Sequence, residues 1–180
     1  YTNALLTAGL QDANVYVAAP SNISGTSALI GAVKGYAEMN GSKVDEQALE
    51  TAVNELVVTG DLGTSLGDSE TASDMVAYIK QQILENNVSS DADIEKIIRD
   101  AMEKFDIKLS DDQIQQLIDL MHKISKLDID VDALAKQAGE IYNKLKDMGL
   151  DLSKVDTKQV GNFITRFFAR IMSLVNQFIG

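Results

Sequence analysis

The sequence predicts an α+β protein that is predominantly helical: a truncated α/β module with one short strand, followed by an antiparallel helical array. Three observations lead there. Val15–Ala19 is a short apolar run without alternation, the pattern of a strand covered on both faces. Ser24, Gly25, Thr26 and Ser27 then precede a helix-periodic run to Met39. Beyond Ser90 the chain becomes a succession of capped amphipathic helices.

Taken in order, Thr2 opens a short helix through Leu5 and Leu6 that ends at Gly9. The strand 15–19 follows and is closed by Pro20, the only proline, which cannot donate to a ladder. Helix 25–39 carries a strip of small residues, Gly25, Ala28, Gly31 or Ala32, and Gly35, spaced three or four apart. Glycine inside a helix costs about 1 kcal/mol against alanine, so the strip is expected to lie close against something flat, with the strand's sheet as the candidate. That sheet lacks members. Val15–Ala19 needs neighbours on both edges, and no other segment reads clearly as a strand. The chain starts at Tyr1 without methionine, so the expectation is a fragment whose missing N-terminal region carried the partner strands; failing that, the strand pairs with a second copy as a homo-oligomer.

Asp45 starts the next helix, with Ala48, Leu49, Ala52, Val53, Leu56 and Val57 on its apolar face. Thr59-Gly60 is expected to close it, leaving Asp61–Gly67 as a glycine-punctuated connector. Asp68 or Ser69 caps a helix through Met75, Val76, Ile79 and Ile83. The polar turn Asn86–Ser90 separates module 1–88 from array 89–180. Ser90 caps a helix through Ile94, Ile98 and Phe105, and Ser110 with Gln113 forms a capping box for Ile114–Ile124. Asp130 caps Leu134–Met148, and Ser153 opens the last helix.

Composition excludes several functions. The 180-residue chain is 45% hydrophobic and 24% charged, with a net charge of −11. Residues 1–90 hold 3 Lys+Arg against 11 Asp+Glu, giving −8. A nucleic-acid partner is therefore excluded, since phosphates need a concentrated basic face. No run approaches ~18 apolar residues, so no transmembrane span is predicted. Without cysteine there is no disulfide framework, thiolate metal site or cysteine nucleophile. No cofactor motif is present, and Ser21–Ser27 lacks the P-loop pattern. Asp128, Asp130 and Asp132 match the first EF-hand ligand positions, but Ala133 and Gly139 replace the required glycine and bidentate glutamate.

Two stretches remain as candidate sites. Ser24, Gly25, Thr26 and Ser27 stand where a strand would give way to a helix N-terminus, a place that favours a small anionic ligand; equally, these residues cap the helix. A hydrolase built there would use Ser24 or Thr26 as nucleophile with Asp12 as partner, but it lacks a base. The single histidine, His122, falls at the edge of an apolar helix face and reads as a partly exposed structural residue. The second stretch is the amphipathic helix 157–179. Phe163, Phe167 and Phe178 share its apolar face opposite Arg166 and Arg170, and the segment holds four of the five phenylalanines. Such a helix either docks on a partner or surface or covers the core of the array.

Asn3–Gly9, Asp12-Ala13, Val15–Pro20 and Ser24–Leu29, with Glu55–Leu62 as a second block, resemble the core signature of the YpuA-like family, secreted proteins of unknown function from Gram-positive bacteria. The resemblance covers about the first 85 residues. It implies an extracellular or cell-wall location at the outer face of the membrane, and it brings no reaction and no catalytic residues. The expected function is then that of a non-enzymatic cell-envelope protein binding a partner or surface, the alternative being a hydrolase or anionic-ligand domain at Ser24–Ser27.

Overall fold

The structure, a computed structural model, describes residues 1–11 and 13–130. Six helices follow one another: α1 (Thr2–Thr7), α2 (Gly25–Met39), α3 (Glu46–Leu66), α4 (Ser69–Glu85), α5 (Asp91–Lys104) and α6 (Asp111–Ile124). Among the described residues there is no strand, so the expected α+β class gives way to an all-helical one. Val15–Ala19 carries no regular structure and is exposed throughout. An apolar run becomes a buried strand only where neighbouring strands take up its backbone groups, and among the described residues none supplies them. The helix expected at 134–148 and the C-terminal helix 157–179 lie outside the described residues.

Local chemistry accounts for the helix boundaries. Ser24, Asp45, Asp68, Ser90 and Ser110 each cap a helix with a side-chain oxygen, and the Ser110/Gln113 box is complete in both directions. Each such cap contributes about 1 kcal/mol. One boundary differs from the sequence reading. Rather than stopping at Thr59-Gly60, α3 runs on to Leu66, with Leu62 fully buried. Gly63 is what this extension requires, because a Cβ there would lie 2.9 Å from Ser69 Cα, at the point where α4 doubles back. Gly67, at φ 69° in the left-handed region, makes the turn.

Helices α3 and α4 thus form a tight antiparallel hairpin, and α5 and α6 form another beside it. Ser65 meets Gln113 at 3.0 Å and Asn54 meets Lys123 at 3.0 Å, so α6 runs antiparallel to α3. Ile79, Ile83, Ile94, Ile98, Leu117, Leu120, Met121 and Ile124 are completely enclosed on α4, α5 and α6. Burying each such side chain is worth roughly 1.5–3 kcal/mol. A second apolar cluster, Ala4, Leu10, Leu29, Val33, Leu49 and Ala52, joins α1 and α2 to the first half of α3.

Candidate interaction surface

Helix α1 has only six residues, too few to be stable alone, so its position must come from tertiary contacts. Its inner face supplies them through a buried polar network. Lys80 of α4 is wholly enclosed, and its ammonium donates to the Asn3 carbonyl at 2.8 Å, Thr7 Oγ1 at 3.0 Å and Glu55 Oε1 at 2.9 Å. Three donors thereby meet three acceptors. The Thr7 hydroxyl passes its own hydrogen to Glu55 Oε2, and Asn3 Nδ2 donates to the Ser73 carbonyl at 2.8 Å. Burial lowers the Lys80 pKa, opposed by the Glu55 carboxylate and its hydrogen bond. The network ties α1 to α3 and α4, and a cavity of about 210 Å³ beside it reaches Glu55, Asn3 and Thr59. Both Glu55 oxygens are engaged, so this carboxylate is not free to act as an acid or base.

The outer face of α1 forms one wall of a cleft. Tyr1, Thr2, Leu5 and Leu6 line it on one side, Ala28 and Ala32 of α2 on another, and Ala13, Asn14, Val15 and Val17 with Ile23 on a third; this lobe is about 680 Å³. It adjoins a lobe of about 530 Å³ where the same irregular segment faces Gly31, Gly35, Tyr36 and Met39. The small-residue strip of α2 therefore does not lie on a sheet. Gly31 and Gly35 are exposed, and a Cβ on either would meet nothing within 4 Å.

Large apolar side chains gather around this cleft. Seven are exposed among the described residues, and six of them line it: Tyr1, Val15, Tyr16, Val17, Ile23 and Met39, with Tyr16 93% exposed. The seventh, Val57, is on α3. The surrounding sequence is equally unusual, since Asp12 is the single charged residue in positions 1–33 of a chain that is 24% charged. No backbone hydrogen bond within the described residues uses the N–H or C=O groups of residues 13–23.

Ser24, Gly25, Thr26 and Ser27 stand at the edge of the same cleft as the first turn of α2. Ser24 Oγ accepts from the Ser27 N–H at 3.1 Å and lies 3.0 Å from Thr26 Oγ1 and 2.8 Å from Ser27 Oγ. These contacts are those of a helix cap. Gly25 is close to the Tyr1 hydroxyl, which a Cβ would approach to 2.8 Å. Asp12, the partner considered for a nucleophile here, lies outside the described residues, as do Phe163, Arg166, Phe167, Arg170 and Phe178. His122 is far from the cleft in sequence and sits at the α5–α6 contact, its Nδ1 3.1 Å from Asp91 Oδ1 and its side chain 39% exposed.

Sequence reasoning missed the Lys80–Glu55 pair because charged residues are ordinarily solvated. A signal was nevertheless present. Glu55 continues the buried spacing Ala48, Ala52, Leu62 on α3, while Lys80 continues Ala72, Val76, Ile83 on α4. Opposite charges at stripe positions of two consecutive helices are able to neutralise each other.

No solved structure matches this chain. The chain is similar to "Uncharacterized protein YpuA" of Bacillus subtilis (strain 168), with 34% identity over 99% of its own length and 60% of the relative's. It therefore spans about three-fifths of the curated relative it matches. The family model described as "Protein of unknown function (DUF1002)" matches residues 1–141. On that match, and on the relative's identity over nearly the whole chain, this polypeptide belongs to the DUF1002 family of YpuA-like proteins, whose function is unknown.

Proposed function

We propose that the chain is a non-enzymatic docking module of the bacterial cell envelope, acting outside the cytoplasm, whose working surface is the neutral cleft between α1, α2 and residues 13–23. One observation carries this reading: six of the seven exposed large apolar side chains among the described residues converge on that cleft. Soluble proteins rarely leave such a patch uncovered unless it meets a partner. The absence of charge across positions 13–33 argues against a polyanion or a lipid headgroup and in favour of an uncharged, apolar stretch of polypeptide. Backbone groups in residues 13–23 that no described residue takes up add a mode of recognition, because a partner strand can hydrogen-bond to them while its side chains enter the cleft. No helix among the described residues is long and apolar enough to cross a membrane. An extracytoplasmic setting is compatible with a chain lacking cysteine, which is indifferent to an oxidising milieu.

The chain contains no tryptophan, so Tyr16→Trp places a single, selectively excitable tryptophan in the cleft. Titration with the blocked, uncharged peptide Thr-Val-Thr-Val-Thr-Val is expected to shift its emission to the blue saturably, and a lysine-substituted version is expected not to. An unchanged spectrum with both peptides at millimolar concentration would overturn the docking reading. Accessibility of the native protein to added protease in intact cells tests the location.

A further inference from the structure

The neutral cleft leaves open which polypeptide covers it, and the composition of its irregular segment narrows the choice. We infer that the occupant is a second copy of the chain, added by antiparallel pairing of Val15–Ala19 with the same residues of its partner around a two-fold axis at Val17; this rests on the docking reading above. The first argument is electrostatic. Two copies of a chain with net charge −11 repel over most of their surface, but positions 13–33 contain no charged residue, so they can meet there without opposing carboxylates. The second is self-complementarity, which an isologous interface demands. Antiparallel pairing about Val17 sets each Tyr16 opposite an Ala18 and each Val15 opposite an Ala19, so these large side chains face small ones in both halves while the two Val17 side chains meet on the axis. Centring the pair on Tyr16 would instead set the two rings against each other. The third concerns the backbone. Residues 13–23 have N–H and C=O groups that no other described residue takes up, and a ladder from Val15 to Ala19 would stop at Pro20, which has no N–H to leave unpaired.

The chain has no cysteine, which permits a direct test. Directly opposed residues of an antiparallel pair place their Cβ atoms about 4.5–5.5 Å apart, within reach of a disulfide after small adjustment. Mild oxidation of the Val17→Cys chain is expected to yield a covalent dimer within minutes. Val57→Cys, at another exposed valine on α3, is expected to remain monomeric under the same treatment. Analytical ultracentrifugation of the unmodified chain at 1–100 µM should show a monomer–dimer equilibrium, weakened at least tenfold by Val17→Lys, with circular dichroism confirming that the variant is folded. A monomer at every concentration, a dimer indifferent to Val17→Lys, or equal cross-linking at positions 17 and 57 would each overturn the inference. A monomeric Tyr16→Trp chain that still shifts with the Thr-Val peptide would remove the second copy while leaving the docking reading in place. A folded chain without dimer or peptide response would remove both.

Discussion

Residues 1–33 and residues 68–124 are built on opposite terms. The later region encloses its large apolar side chains, caps each helix with a side-chain oxygen and, Lys80 apart, buries no charged side chain. In the earlier one Asp12 is the only charge, the exposed apolar side chains are concentrated, and an eleven-residue segment keeps its backbone unpaired within the described residues. Such a difference separates structure that completes itself from structure that needs something added. Lys80 and Glu55 connect the two, because they hold the short α1 against the helices behind it.

The sharpest way to break this contrast is to attack that connection. Glu55→Ala leaves Lys80 buried without its counter-charge, and a loss of about 3–5 kcal/mol in urea-unfolding free energy is expected. The double variant Glu55→Leu with Lys80→Met should lose much less; equal losses would show that the pair holds nothing in place by its charge.

A smaller effect belongs to the later region alone. Burial brings Lys104 down to about 8, although its ammonium lies 4.3 Å from the Tyr78 ring centroid, a contact that favours the charged form. Because the folded-state pKa lies below the unfolded one, the unfolded chain binds more protons between pH 8 and pH 10.5, and this group's contribution to stability rises with pH in that window. Between pH 7.5 and 9.5 the gain from Lys104 should be about 2 kcal/mol, and unfolding curves of Lys104→Met should lack it.

The smallest effect on stability is expected on the neutral face. Tyr16→Ser with Val17→Ser should change the unfolding free energy by less than about 0.5 kcal/mol, since both residues are exposed, yet abolish the peptide response reported by a tryptophan at Ile23. A large stability loss would mean that these side chains already serve the fold.

The later region was legible because its signals are local. Ser90, Ser110 with Gln113, and the three-and-four spacing of Ile94, Ile98, Ile114 and Leu117 each act within one or two helical turns. His122 at the edge of its face was likewise readable from spacing. What escaped depends on distant partners. Val15–Ala19 has the composition of a strand, but pairing rather than composition makes one, and the end of α3 was misplaced because Gly63 serves the approach of Ser69 rather than a local break. Likewise, Ser24–Ser27 was correctly seen as a helix start, while the cleft beside it arises from residues on α1 and α2 that periodicity does not bring together.

The Lys80 network also imposes an order on biosynthesis. The residues forming the neutral face are made before the lysine that fixes α1, which follows Thr7 by 73 positions. At about 5–20 residues per second, roughly 4–15 seconds pass before that lysine has even been joined to the chain. During that interval the uncharged stretch 13–33 is without the fixed α1 that walls its cleft. Its exposure to wrong partners is therefore governed by the pace of translation rather than by the equilibrium stability of the finished molecule.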